Sequence, residues 1–234
     1  MSEIYTSGRY LDANPTWHVE DSAWKAAQIN AMIRRHALKP RRVAEIGCGA
    51  GAILAALAGE ENLKSAEFVG YDISPQAIAL AKSRQSARLQ FHCADMFDAE
   101  PAGGFDLLLV IDVIEHVPDY MGFAEHCRRL ATFKVFHIPL DMHASAVLRN
   151  SFGRVRDALG HLHYFTADTA IATLTDTGYE ILDCVYTCGA LRLRRRHPSL
   201  RTSVANVPRR LLSALSTPFT ARTLGGYSLL VLAQ

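Results

Sequence analysis

The sequence lacks the features that mark a secreted or membrane-spanning protein. Its cysteines are few, scattered and odd in number, and they match neither a zinc-binding spacing nor a disulfide framework. No apolar run approaches the roughly 18–20 residues of a membrane span, and the N-terminal stretch contains no apolar core of a signal peptide. We therefore expect a cytoplasmic protein with reduced thiols.

Acidic residues are missing from the C-terminal fifth of the chain. No Asp or Glu occurs from Cys184 to Gln234, a segment that holds arginines at 192, 194, 195, 196, 201, 209, 210 and 222. Residues 1–183 carry 17 basic against 23 acidic side chains, a net charge of −6. Three interpretations stay open: a solvated face paired with the acidic body, recognition of an anionic acceptor such as a nucleotide-sugar or lipid-linked phosphate, or nucleic acid.

Apolar runs alternate with helical patterns along the chain. Helices are predicted at 21–38, after the cap pair Ser74–Pro75, between Thr166 and Gly178, and as one short amphipathic helix in VPRRLLSALSTPF, which starts at residue 207. Short, mostly non-alternating runs predict strands covered on both faces. They are RVAEIG (42–47), EFVGYD (67–72), LQFHC (89–93), FDLLLVID (105–112), KVFHIP (134–139), YEILDCVYT (179–187) and SLLVLA (228–233).

This alternation predicts an α/β fold with a doubly wound, Rossmann-like sheet and helices on both faces. We divide the chain into an N-terminal helical lid (1–40), a Rossmann-like core (41–187), and a basic insertion with an amphipathic helix and the final strand (188–234), all within one domain. The arginines in the first turn of that amphipathic helix oppose the helix dipole, so another interaction must favour them.

A glycine-rich loop, AEIGCGAGAIL (44–54), follows the first strand, and Gly47, Gly49 and Ala52 fit the dinucleotide pattern G-x-G-x-x-A. Glu45 precedes this loop, Asp72 ends the second strand and Asp95 follows the third. A carboxylate repels a pyrophosphate but attracts an ammonium group. The three acids therefore favour S-adenosylmethionine (SAM), which offers an ammonium, a ribose and an exocyclic amine without phosphates, over NAD.

With these motifs the chain resembles class I SAM-dependent methyltransferases over about residues 40–140, through AEIGCGAG, GYDIS, CADMF and FDLLLVIDVIEHVPD. The resemblance implies a seven-stranded, mostly parallel sheet with an antiparallel last strand, and S-adenosylhomocysteine as product. It is closest to bacterial small-molecule methyltransferases, which implies methyl transfer to a hydroxyl of a sugar, nucleotide-sugar or lipid-linked metabolite. The alternatives are an RNA or protein methyltransferase, or a SAM-binding protein without catalysis.

The resemblance also implies the cofactor contacts. The loop glycines would pack against the methionine part with Glu45 orienting its amino group, Asp72 would hold the ribose, and Asp95 the adenine amine. The full predicted set is Glu45, Gly47, Cys48, Gly49, Gly51, Asp72, Ile73, Asp95, Met96, Asp112 and Trp24.

The segment IDVIEHV resembles the D/E-x-x-E-H metal site of ubiquinone-pathway O-methyltransferases. Either Asp112, Glu115 and His116 hold a divalent cation that lowers the pKa of a hydroxyl, or Asp112 lines the SAM site while the other two are structural. We favour the metal-free interpretation and keep His116 as a candidate base.

Further candidates surround the acceptor side. GHLHYFT (160–166) resembles an element that borders acceptor pockets, so His161 and His163 are catalytic candidates; the alternative is a turn capped by Thr166. In HIPLD, Asp141 is expected on the acceptor side, whereas His137 is expected in the core.

In WHVEDSAWKA, Trp17 and Trp24 either close over the ligand or belong to a helix capped by Asp21 or Ser22. The N-P-P-Y/F element of amino-directed nucleic-acid methyltransferases is missing, so we expect no stable nucleic-acid partner. The basic amphipathic segment suits peripheral contact with the inner membrane face.

Overall fold

The computed structural model describes residues 14, 16–17, 19–99, 104–189 and 207–234. They form a seven-stranded sheet with the strand order β3-β2-β1-β4-β5-β7-β6. Strands β1 to β5 pair in parallel, while β7 lies antiparallel between β5 and β6. The predicted fold class is confirmed. The strands are β1 Arg42–Ile46, β2 Glu67–Asp72, β3 Leu89–Cys93, β4 Phe105–Ile111, β5 Ala131–Pro139, β6 Ile181–Thr187 and β7 Ser228–Ala233.

Helices cover both faces of the sheet. They are α1 Val19–Arg35, α2 Ala52–Ala58, α3 Pro75–Ala81, α4 Tyr120–Leu130, α5 Ala144–Leu148, α6 Phe152–Leu159, α7 Ala167–Asp176, α8 Val207–Leu215 and α9 Thr217–Leu224. Two predicted caps are confirmed, because the Ser74 hydroxyl accepts from the Ala77 amide and Thr166 forms a capping box. The predicted cap at Asp21 or Ser22 is wrong: α1 already begins at Val19, which places both residues in its first turn.

The core consists of two apolar layers, one on each face of the sheet. Along β4, Leu107 and Leu109 belong to the layer under α1, α2 and α3, whereas Leu108 and Val110 belong to the layer under α4, α7 and α9. Alternate side chains of one strand therefore enter different layers, and both layers are apolar. This double burial explains why the strand sequences read as continuous apolar runs.

The basic C-terminal segment differs from its prediction in one respect. The amphipathic pattern from residue 207 is not one helix but two, because the Ser216 side chain caps a new helix by accepting from the Phe219 amide. The Arg209 side chain donates to the carbonyls of Leu224 and Gly225, at the end of α9. This contact supplies the interaction that offsets the unfavourable dipole at the start of α8.

The arginines at 192, 194, 195, 196 and 201 lie outside the described residues. Within the described ranges, no helix combines the length and the apolar character that a membrane span requires.

Candidate functional site

A large cavity of about 760 Å³ opens along the carboxyl ends of the parallel strands. That edge is where open α/β sheets bind ligands, and the volume is in the usual range for a small-molecule site. Residues at or just after the carboxyl ends of β1, β2, β3, β4 and β5 all line it, so one space connects the predicted cofactor end with the predicted acceptor end. They include Glu45, Asp72, Asp95, Asp112 and Asp141.

The glycine loop forms one wall of the cavity. Gly47 has φ +67°, and a Cβ there would lie 2.6 Å from Val113, so only glycine fits. Gly49 also has a positive φ and lies beneath the Trp17 ring. Gly51 is placed differently from the expectation: it faces Phe91 in the core, and it is not among the described residues that line the cavity.

Asp72 ties the glycine loop to the start of α3. Its carboxylate accepts from the Gly49 amide at 2.8 Å and from the Ser74 amide at 2.8 Å. Burial raises the pKa of Asp72, and the two backbone hydrogen bonds oppose that shift. Fixed in this way, the side chain stands at the cavity wall where a ribose was predicted to bind.

The predicted adenine contacts follow β2 and β3 and line the same cavity. Ile73, directly after β2, is exposed at the cavity surface, whereas Met96, after β3, is buried. Asp95 accepts from the Phe97 amide at 2.9 Å. The Phe97 ring packs against Phe123 at 5.5 Å between centroids, which closes that end with an apolar wall.

Glu45 and Cys48 form the floor near the methionine end. Burial raises the pKa of Glu45 well above its ordinary value, although the Lys25 ammonium opposes the shift. The Glu45 Oε2 atom has no hydrogen-bond partner among the described residues. A buried carboxyl without a partner is costly, so this atom favours a ligand that brings a donor. The Cys48 thiol is buried, and burial raises its pKa well above the ordinary value.

Asp112 is held in a strained conformation by two partners. Its φ of +54° lies in the left-handed region, which costs free energy in a residue other than glycine. The carboxylate accepts from the Lys25 ammonium and from His137 Nδ1 at 2.6 Å. Burial disfavours its ionisation, but Lys25 and His137 outweigh this and hold the pKa of Asp112 well below its ordinary value.

Lys25 was missed by the sequence analysis, and His137 was assigned only in part. The Lys25 side chain is 17% exposed, and Asp112 raises its pKa despite burial. No local pattern marks Lys25, because its partner is 87 residues away. His137 is buried in β5 as expected, but it also contacts the cavity and reaches Thr187 Oγ1 through Nε2 at 2.9 Å.

The two tryptophans both line the cavity. Trp17 lies over Gly49, and the Trp24 ring stands perpendicular to His137 with 6.5 Å between centroids. With Lys25, these side chains show that α1 and Trp17 lie beside the predicted cofactor end of the cavity. The lid remains a prediction, supported by this placement.

The acceptor end contains a histidine oriented by a carboxylate. His161 Nδ1 donates to the Asp141 carboxylate at 2.6 Å, and both residues line the cavity. A neutral imidazole that donates through Nδ1 keeps Nε2 as an acceptor. This is the geometry of a general base held in one tautomer by an acid.

His116 and Glu115 lie next to this pair. The His116 ring stands 4.8 Å from His161, and its Nδ1 donates to the Gly160 carbonyl at 3.1 Å. Burial and the neighbouring His161 lower the pKa of His116 to about 4, so it is neutral at physiological pH. Glu115 is fully buried, and burial together with Asp112 raises its pKa well above the ordinary value.

His163 is not part of this group. Its ring packs on Tyr120 with 4.5 Å between centroids, and it is absent from the described lining of the cavity. Its backbone amide, together with that of Leu162, donates to the Glu115 carbonyl. These bonds join the segment 160–166, which we call the acceptor loop, to the turn that follows β4.

The structure brings together a possible cation set that differs from the one considered in the sequence. The ligand atoms of Glu115, His116 and His161 lie within 4.8 Å of one another, whereas Asp112 is engaged by Lys25 and His137. Both Glu115 carboxyl oxygens are without a hydrogen-bond partner in the described part of the chain. The donor set fits a divalent cation in chemistry, and it equally fits a metal-free polar wall.

Known proteins resemble this chain in sequence and in fold. A family model for a methyltransferase domain matches residues 44–132. The chain is 31% identical over 102 residues to the ubiquinone biosynthesis O-methyltransferase of Aromatoleum aromaticum. The matched residues cover 42% of this chain and 42% of the relative. It is 28% identical over 145 residues to that of Chromobacterium violaceum, covering 56% of this chain and 61% of the relative.

The chain thus spans about half the length of the curated relatives it matches. In fold it is similar to the magnesium protoporphyrin IX methyltransferase of Synechocystis PCC 6803, crystallised with S-adenosylhomocysteine. The TM-score is 0.59 at 18% identity, over 90% of this chain and 82% of the other. This likeness establishes a common fold. Residues 44–132 match a methyltransferase domain and the sheet has the predicted seven-stranded topology, so both findings support the predicted resemblance to class I SAM-dependent methyltransferases.

Proposed function

We propose that the protein methylates a hydroxyl group of a small molecule, with His161 as the base that accepts the hydroxyl proton. The observation that carries this proposal is the hydrogen bond of 2.6 Å from His161 Nδ1 to Asp141 at the acceptor end of the cavity. An alcohol must lose its proton as it attacks, whereas an amine needs only to arrive neutral. A histidine oriented by a carboxylate therefore supports oxygen as the accepting atom.

The cofactor end would hold SAM through groups that suit its charge. Glu45 would accept a hydrogen bond from the ammonium group, Asp72 would accept from the ribose hydroxyls, and Asp95 would accept from the adenine amine. When bound, SAM supplies an electrophilic methyl group on a sulfonium, so the residues of the protein need only orient the acceptor, receive its proton and exclude water. Trp17 and Trp24 contribute apolar surface that excludes water at the lid side.

The proton balance runs through two side chains. As the new oxygen–methyl bond forms and the methyl–sulfur bond breaks, the hydroxyl proton passes to His161 Nε2. The Asp141 carboxylate then stabilises the imidazolium that results. Neutral His116 and the buried Glu115 carboxyl border the same space, where they offer hydrogen bonds to further oxygens of the acceptor.

The names of two relatives support one class of acceptor. Two of the matched proteins are named ubiquinone biosynthesis O-methyltransferases, which supports an O-methylated acceptor of that type. We therefore place a hydroxylated ring ahead of the sugar, nucleotide-sugar or lipid-linked hydroxyl expected from the sequence. RNA and protein remain the competing acceptors to be tested.

A labelled-methyl assay distinguishes these acceptors. Protein is incubated with methyl-labelled SAM and separate pools of catechols, sugars and nucleotide-sugars, lipid extract, RNA and protein. We expect label in the catechol pool, its loss in His161→Gln, and its retention in the matched control His163→Gln. Transfer to RNA or protein alone would contradict the proposal, and binding of SAM without transfer to any pool would indicate a non-catalytic protein.

A cation at Glu115, His116 and His161 is the second candidate arrangement, because the buried Glu115 oxygens are without a described partner. A cation there would occupy His161 and would itself lower the pKa of the hydroxyl. We expect unchanged turnover after exhaustive treatment with EDTA. If activity is lost and returns with Mg²⁺ or Zn²⁺, a bound cation, and not His161 as a base, activates the acceptor hydroxyl.

A further inference from the structure

Helix α8 turns its apolar side away from the protein. Leu211 and Leu215 are 65% and 85% exposed, and with Val207 they lie on one side at a spacing of four residues. The opposite side, which includes the half-buried Leu212, contacts the protein mainly through polar groups: Arg209 donates to carbonyls at the end of α9, and the Tyr227 hydroxyl donates to Ser213 Oγ at 2.8 Å. An ordinary surface helix has the reverse arrangement.

The helices that neighbour α8 carry further exposed apolar side chains. Phe219 on α9 is 55% exposed and Leu148 on α5 is 86% exposed. Helix α9 packs against both α8 and α5, and the His143 ring at the start of α5 lies directly on Gly225 at the end of α9. Of the large apolar side chains that are exposed in the described residues, most lie in or next to α5, α8 and α9: Met142, Val147, Leu148, Val207, Leu211, Leu215 and Phe219. We call these seven residues the apolar face.

The two chain segments that carry the apolar face are basic, and Asp168 on the neighbouring helix α7 is ion-paired with Arg222. Arg149 follows α5 and Arg210 lies in α8, and both are exposed. Neither 142–156 nor 207–234 contains an acidic residue, although each range contains three arginines. An apolar helical surface flanked by arginines is the pattern of a helix that lies in the interface of an anionic bilayer. A second copy of the chain would instead bring the same arginines together across a two-fold axis.

We propose that the apolar face docks the protein on a membrane containing anionic lipids. The face adjoins the acceptor end of the cavity, because Asp141 stands two residues before His143 and Ser228 three residues after Gly225, and both line the cavity. Docking there places the acceptor end next to the bilayer, which suits an acceptor that partitions into lipid. Membrane binding itself does not depend on methyl transfer and is measured without cofactor.

Vesicle sedimentation of the full chain tests the docking. We expect binding to phosphatidylcholine vesicles that contain phosphatidylglycerol, weaker binding to pure phosphatidylcholine, and a loss of affinity as salt is raised. Leu211→Asp with Leu215→Asp removes two exposed apolar side chains that docking would bury in the bilayer, and it is expected to weaken binding at least about a hundredfold. Arg149→Glu with Arg210→Glu is expected to weaken it at least about tenfold.

The matched control is Leu80→Asp, an exposed apolar side chain on α3, which packs on β2 and β3 at the other end of the strand order. It should bind vesicles like the wild type. Since the substituted side chains are exposed, circular dichroism and the thermal midpoint should not change. The proposal is overturned if the wild type ignores anionic vesicles, or if the Leu211 and Leu215 variant binds them normally. If the wild type forms a dimer in sedimentation velocity, the Leu211 and Leu215 variant dissociates it, and vesicles are not bound, then the apolar face contacts a second copy of the chain instead.

Discussion

Replacing Asp141 by asparagine tests the acceptor end most closely, because it keeps the shape of the side chain and removes only its charge. In the wild type the Asp141 carboxylate accepts from His161 Nδ1 at 2.6 Å, and the Asp141 side chain is 29% exposed. The charge matters most when His161 has taken the proton from the acceptor and become an imidazolium. We therefore expect Asp141→Asn to slow the chemical step and leave cofactor binding intact.

The size of the effect follows from the hydrogen bond. A hydrogen bond to a charged group is worth about 1.5–3 kcal/mol, and each 1.36 kcal/mol changes a rate about tenfold. Asp141→Asn should accordingly lower kcat by about tenfold to 150-fold. His161→Gln removes the base itself and should lower kcat by about 10²–10⁴-fold.

The assay is steady-state methyl transfer under saturating cofactor, together with calorimetric titration of S-adenosylhomocysteine. Asp141→Asn should change kcat far more than KM, and Asp141→Glu, which keeps the carboxylate, should lose less. Asp168→Asn is the matched control, because Asp168 lies on α7 and forms an exposed ion pair with Arg222. Equal losses in the two asparagine variants, or a loss confined to cofactor affinity, would refute the role of Asp141.

Three further substitutions test other parts of the site by urea unfolding. Lys25→Met leaves the partly buried Asp112 carboxylate without its ammonium partner and should cost about 1–3 kcal/mol; an unchanged midpoint would contradict the pairing. Because burial and His161 lower the pKa of His116 from 6.5 to about 4, the unfolded chain binds that proton more tightly, and stability falls as pH drops through this window. His116→Gln should remove up to about 3 kcal/mol of that fall, and an identical pH dependence would count against it. Gly51→Ala, with φ +73° and the Phe91 ring in its path, should cost about 2–3 kcal/mol. Gly153→Ala, whose Cβ meets nothing within 4 Å, should not destabilise, and equal effects would refute the packing argument.

The strands and the cofactor end were predictable from the sequence because their signals are local. An apolar run followed by an acid marks the end of a buried strand, and the carboxyl ends of parallel strands share one edge of the sheet. Asp72 and Asp112 therefore meet the same cavity in the structure, as expected. Gly51 shows the limit of this reasoning, since a loop glycine can be required by the core as well as by a ligand.

The pairings within the site were not predictable, because each depends on the tertiary fold. His161 and Asp141 were separate candidates, and only the packing of the acceptor loop beside β5 makes them one hydrogen-bonded pair. Lys25 had no signal at all, since a lysine in an amphipathic helix ordinarily faces solvent. The division at Ser216 escaped notice because the same apolar periodicity continues through the cap into α9.

The central claim is that the carboxylates along the sheet edge select a nucleoside that carries an ammonium group and no phosphate over a dinucleotide. Isothermal titration calorimetry with S-adenosylhomocysteine and with NADH tests it directly. The account predicts saturable heat with S-adenosylhomocysteine, weakened at least about tenfold in Asp72→Asn by the loss of a charged hydrogen-bonding group, and no heat with NADH. Tight binding of NADH with no response to S-adenosylhomocysteine would contradict it.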